Sequence, residues 1–497
     1  MPDPSLAPIP RERWDRAAAA HLLARAGFGG TPDQVQALVD MGPAGAVDCL
    51  VRYEGVAADP TPDGLFDASI RRPLSSDERQ TIARARREGD EGTLERFQRE
   101  RTARDMQDRD QMVAMRQWWL RRMIETGRPL EEKMTLFWHG HFATGWRTVE
   151  DSYHMYLQNR MLRAHATGDF GELAYRIIRD PAMLRYLDNN RSRRGQPNEN
   201  LARELMELFV LGEGRGYTER DIKEAARALT GFTYEDDTFL FDGSAHDGGP
   251  KQILGKSGNF DGDDLVRILL SRPECSEFIC AKLHRFFVAD GPDAPDRDAR
   301  IAISRLAELM RRERYQLKPV LRTLFLSRHF HDPAYRGAVV KSPVQLVVQT
   351  IRQLGTPPRE LATLSSALDL MGQSLFQPPS VKGWDGGRTW INTSTLFIRQ
   401  NIAVYLLTGR LPESGQWATD PNPWGGGPLE RAVVARASAA DDAAADAALE
   451  LCLAVEPVAA RREQFRAFAR SLGGPLTGDR LVRALCVATA LPEYQLC

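Results

Sequence analysis

Asn198-Glu199-Asn200-Leu201-Ala202-Arg203-Glu204-Leu205-Met206-Glu207-Leu208-Phe209 concentrates amides, carboxylates and a guanidinium in one short stretch. On a helix, Asn200, Arg203, Glu204, Glu207 and Leu211 share a side beside an apolar stripe of Leu201, Leu205, Leu208 and Phe209. Charged helix faces are usually solvated, and an Arg203–Glu207 pair would then be an ordinary surface pair. The apolar flanks argue instead for burial, and a buried polar strip must be paired or coordinated. A second segment is Phe137-Trp138-His139-Gly140-His141-Phe142. A helix starting with Pro129 at its first position is expected to end at Trp138. His139 and His141, two residues apart, converge only if Gly140 ends or opens that helix. Two imidazoles walled by aromatic rings could then ligate a metal or exchange protons, the alternative being ordinary hydrogen-bonded histidines.

A third segment, His246-Asp247-Gly248-Gly249-Pro250-Lys251, sets a histidine beside a carboxylate in a glycine-rich turn; an Asx-type turn with an exposed histidine is the alternative. A fourth, from Gly383 to Asn392, pairs Trp384 and Trp390 with glycines, either as a ligand platform or as an aromatic plug over the core. Walker A, GxGxxG, GxSxG and HExxH patterns are absent, which disfavours nucleotide-driven, serine-hydrolase and zincin chemistry.

The elements that must position these segments read as helices. Thr31-Pro32 and Thr218 with Asp221 are helix starts, and Gly27 to Gly30 is a stop. Residues 75–117 form a highly charged helical excursion, and from Met112 to Met123 apolar residues return at helical spacing. Phe232 to Gly262 breaks the pattern with β-favouring residues and repeated glycines, which predicts a small β-hairpin or ribbon near 232–256. The expected architecture is mainly α: a multi-helix array over 1–410, a linker over 411–428 and a C-terminal helical segment over 429–497 packed on the main domain.

The chain has 497 residues, with 66 basic and 67 acidic side chains giving −1, so no overall field favours nucleic acid. Hydrophobic residues make up 42%, enough for a sizeable core, and no apolar run approaches the ~20 residues of a membrane span. Cys49, Cys275, Cys280, Cys452, Cys486 and Cys497 form no CxxC pair and read as reduced thiols. The first 30 residues lack a basic start followed by an apolar stretch, so a cytoplasmic location is expected, with export possible alongside a signal-bearing partner.

The motifs HLLARAGFG from His21, FWHGHF, NENLARELMELFVLG, YTERDIKEAARALTGF, HDGGPKQILG, QPPSVKGWDGGRTWINTSTL and LPEYQ run the length of the chain. By these it resembles the bacterial domain-of-unknown-function family 1800. The resemblance implies a possible sulfatase-like partner protein, because members are commonly encoded beside a sulfatase-like family that carries a twin-arginine export signal. Many relatives have a secretory signal that this chain lacks.

The residues themselves suggest a metal-dependent hydrolase acting on a glycan or another envelope-derived substrate. His139, His141, Glu204, Glu207 and His246 are the expected ligands of a divalent metal ion, Glu199 the general base and Arg203 an anion clamp. Asn198, Asn200, Lys251, Trp384 and Trp390 are the expected substrate contacts. A single pocket is expected to gather His139, His141, Glu199, Arg203, Glu204, Glu207 and His246. Metal-free catalysis by a carboxylate pair is a variant, a His/Glu-bound iron oxidoreductase a further one. A non-catalytic helical scaffold or escort for the sulfatase-like protein is the competing reading.

Overall fold

Thr31 caps its helix with a reciprocal Gln34 bond and Pro32 at the first position, and Thr218 does the same with Asp221. These caps satisfy amide groups that the first helical turn leaves without partners. The computed structural model describes residues 6–58, 64–291, 295–413, 416–419, 424–437 and 442–497. Among the described residues the elements are 22 α-helices, short 3-10 and π turns, and antiparallel two-stranded hairpins. The fold is mainly α.

The glycine-punctuated interval forms two successive hairpins. Phe232–Glu235 pairs with Thr238–Phe241, and Lys251–Ile253 pairs with Lys256–Gly258. The charged excursion is a helical hairpin of Ser76–Glu88 and the 35-residue helix Glu91–Glu125, whose last turns bury Met112, Met115, Trp119, Leu120 and Met123. Of the stretch expected to be a linker, residues 414–415 and 420–423 lie outside the described residues. Around them Arg410–Glu413 and Gln416–Thr419 pair as a third hairpin. The C-terminal helices join the core around Pro343–Leu354, and Lys341 Nζ donates to Tyr494 O at 2.8 Å.

Two apolar cores share the molecule. One gathers the first two helices, the central helices and those between Gly262 and Leu326; the other joins the long helix to Pro343–Leu354 and the C-terminal helices. Helix Pro129–His141 borders both, placing Leu130, Met134, Phe137 and Trp138 in the first and Leu136 in the second. Every residue of this helix except Gly140 is buried, so each polar side chain on it needs a partner inside the protein.

Glu132 meets that need for its own helix. Arg122 donates to its Oε1, Arg163 to both oxygens at 2.6 and 3.0 Å, and Trp119 Nε1 to Oε2 at 2.9 Å. Burial opposes the charged form, but Arg163 and Arg122 outweigh it and hold the carboxyl below its ordinary value. Glu132→Gln keeps the shape and removes the charge that the Arg122 and Arg163 guanidinium groups face. It is expected to cost about 3–5 kcal/mol in chemical denaturation; a loss under about 1 kcal/mol would show the clasp to be incidental.

Candidate functional site

The Pro129 helix does not end at Trp138. It continues through Gly140 to His141, with Phe142 N–H bonded to Trp138 O at 2.8 Å. Two residues apart on an unbroken helix, the imidazoles leave in different directions, which removes the expected convergence of His139 and His141. His139 Nε2 accepts from Phe376 N–H at 3.1 Å, and its ring packs against Trp119, Phe376 and Trp384. His141 Nε2 lies 2.9 Å from Phe209 O, so it carries the proton, leaving Nδ1 as a lone pair with no partner among the described residues. Burial pushes both histidines down to about 3, with Lys282 a further cause at His141.

Gly140 serves a different purpose. A Cβ on Gly383, whose φ is +79°, would lie 2.1 Å from Gly140 O, so the tryptophan loop meets the helix backbone to backbone. Trp384 packs beside Gly140, and the next residue's carbonyl accepts from Arg285 at 3.1 Å. The second and fourth sequence motifs thereby become two walls of one cleft of about 890 Å³.

Phe137, Phe278, Phe286, Trp384 and Trp390 give that cleft aromatic walls, and Glu207, Glu213 and Asp290 bring carboxyl groups. Asp290 accepts from Val340 N–H at 2.8 Å and has no ion pair among the described residues; burial raises its carboxyl. Arg25, Lys133, Lys282 and Lys341 also line the cleft. Burial lowers Lys133 to about 7 and Lys341 to about 8, and it is the leading cause of the fall at Lys282. Lys133 Nζ donates to Gln345 Oε1 and sits over the Phe28 and Phe286 rings.

The glutamate-rich segment behaves otherwise than its spacing suggested. Asn200–Glu204 is α-helical, and Leu205–Phe209 widens into a π turn that closes with Val210 N–H to Leu205 O at 3.0 Å. Such turns recur at functional sites, and this one places Glu207 on the cleft. Arg203 is not an open clamp. Its guanidinium already donates to Glu199 at 3.2 Å, Glu207 at 3.2 Å and both oxygens of Glu219 at 2.9 and 2.8 Å. Glu199 is engaged in that network and does not line the cleft. Glu204 is half-buried beside it, its carboxyl raised by burial and then by Glu207.

Asn198 Oδ1 is taken by Asn200 N–H at 2.9 Å, so these amides shape the local turn. His246 Nδ1 donates to Thr230 O at 2.8 Å, and Asp247 pairs with Arg227 at 2.7 Å rather than orienting the histidine. Lys251 is buried with Nζ on the carbonyls of Asp247 and Gly249. Of the expected site residues, His141, Glu207, Trp384 and Trp390 line the cleft, and His139 packs behind Trp384. Among the described residues no three His, Cys, Asp or Glu side chains come together in a metal-binding group, so His139, His141, Glu204, Glu207 and His246 do not form the expected ligand set. The reason is local: one nitrogen of each imidazole is already taken by backbone.

Residues 21–496 match the family model described as "Protein of unknown function (DUF1800)". The chain belongs to the DUF1800 family. No curated protein and no solved structure matches it. In this DUF1800 protein the cleft residues that motif reading missed are Arg25, Lys133, Lys282, Asp290, Lys341 and Gln345. One signal was available: Lys133 interrupts the apolar period of Pro129–Trp138, and a charge there must be paired or functional.

Two measurements probe this geometry. Gly383→Ala has to move the loop off Gly140 and strain a left-handed backbone, and should cost about 2–4 kcal/mol while altering tryptophan fluorescence; an unchanged spectrum and stability would contradict the close approach. His139, His141 and His284 sit near 3 and His331 near 4 in the fold, against an ordinary 6.5. Between those values the unfolded chain binds more protons, so stability rises with pH, is complete above about 6.5 and is lost on acidification. Tm measured from pH 7.5 to 4.5 should fall with a slope equivalent to several protons. A flat profile would show that these imidazoles titrate normally.

Proposed function

We propose that this DUF1800 protein is a hydrolase of glycosidic or related linkages, with the aromatic-walled cleft as its working site. The observation that carries the reading is the pair Asp290 and Glu207, two carboxyls on separate elements facing one cleft from unlike environments. Asp290 is half-buried without an ion pair among the described residues and its carboxyl is raised, while Glu207 is paired with Arg203. Unlike environments of this kind assign acid and base roles to two carboxyl groups.

In this reading Asp290 donates the proton to the leaving oxygen, and Glu207, positioned by its pair with Arg203, activates water or attacks directly. Trp384 and Trp390 supply flat faces for a sugar ring. His141 Nδ1 is an acceptor for a substrate hydroxyl; with its other nitrogen fixed on Phe209 O it keeps one tautomer. No step in this reading is routed through a metal.

The test is turnover of a panel of nitrophenyl glycosides and cell-envelope glycan fragments. Asp290→Asn and Glu207→Gln should each lower kcat about 10²–10⁴-fold with KM nearly unchanged. Trp384→Ala should mainly raise KM. Wild-type kcat in Asp290→Asn would sink the acid assignment. Silence across the panel, together with capture of a sulfatase-like protein, would move the reading to the scaffold.

A further inference from the structure

Resting on that reading of the cleft, we propose that its inner end binds an oxyanion of the substrate, a carboxylate or phosphate, through Arg25 and Lys133. Both side chains line the cleft and are nine-tenths or more buried, at 2% and 7% exposure. Neither has a carboxylate within ion-pair distance among the described residues. Arg25 spends its Nη1 and Nη2 on the carbonyls of Phe287 and Tyr335, at 3.3 and 2.8 Å, and its Nε has no partner among the described residues. Lys133 has one acceptor, Gln345 Oε1, for an ammonium that can donate three hydrogen bonds.

Arg25 adds to the fall that burial causes at Lys133, and two buried cations so placed are costly to fold. A chain that wanted only packing would place an aliphatic residue between Phe28 and Phe286, where Lys133 lies. Cys497 acts favourably on both cations and Asp290 on Arg25, each from beyond ion-pair distance. They reduce the cost without filling the donors. Lys341, 1% exposed and with Nζ on Tyr494 O, adds a third positive charge to the same cleft. An anion delivered with the substrate would meet the unmet donors, and charge-assisted bonds in a buried site are the strong ones. The bound molecule is then an acidic one, with its hydroxyl-bearing body against Trp384 and His141 and its charge at Arg25 and Lys133.

The experiment is titration calorimetry and thermal shift on the full chain with inorganic phosphate, D-glucuronate and D-glucose. Phosphate and glucuronate should bind one per chain and raise Tm, and glucose should bind at least about tenfold more weakly than glucuronate. Lys133→Met fills the same space between two rings and removes the unpaired charge; it should fold with an unchanged or higher Tm and lose at least about tenfold in phosphate and glucuronate affinity. Lys133→Gln, which keeps a donor without the charge, serves as the second variant and should show the same loss. Unchanged anion affinity in either folded variant overturns the proposal, and so does the absence of phosphate and glucuronate binding to the wild type. Equal binding of glucose and glucuronate would overturn the anion site while leaving the carbohydrate reading standing. Phosphate binding that is lost in Lys133→Met, with neither sugar bound, would sustain the anion site and sink the carbohydrate reading.

Discussion

The Glu132 carboxylate fixes how three helices meet. It lies in the interior and joins its own helix to the long Glu91–Glu125 helix through Trp119 and Arg122, and to Ser152–Ala164 through Arg163. An ionised carboxylate there would be prohibitive alone, and three donors from two other helices make it tolerable only in one relative placement. The Pro129 helix is therefore set in rotation as well as position. Lys133, the next residue, is carried to the cleft, and two turns on His139 and His141 are divided between opposite tasks.

That division shows how one short motif is spent on two requirements. His139 Nε2 accepts from the Phe376 backbone and anchors the chain just before the tryptophan loop, while His141 fixes its Nε2 on Phe209 O and lines the cleft. Gly140 between them has no side chain to offer. Its carbonyl is approached so closely by Gly383 that no side chain fits at Gly383, and the loop bearing Trp384 becomes a wall.

Helix starts and the α-class were legible because caps, proline positions and apolar periods act over a few residues. Thr31, Thr218 and Pro129 begin their helices as expected, and the glycine-rich interval after Phe232 is extended. The site was only half legible. His141, Glu207, Trp384 and Trp390 line the cleft, but their partners come from elsewhere in the chain: Asp290 after the Pro273–Phe287 helix, Gln345 from Pro343–Leu354, Arg25 from the first long helix. Spacing within a motif carries no information about such contacts. Arg203 was misread for the same reason, since Glu219, sixteen residues on, supplies the bidentate partner that closes its fork.

A net charge of −1 conceals this arrangement. Composition argues against a polyelectrolyte partner, because the field of a near-neutral surface decays within a Debye length of about 10 Å. Inside the cleft the same arithmetic does not apply. Arg25, Lys133 and Lys341 are buried where the effective dielectric constant is low and screening by salt is weak, so a few unpaired charges there outweigh many paired ones on the surface. Arg203 shows the contrast: at 31% exposure, with three carboxylates around it, it contributes little net field. In the proposed anion site, selectivity rests on which charges are left unpaired in the interior, a property of the fold that the balance of acids and bases along the chain does not express.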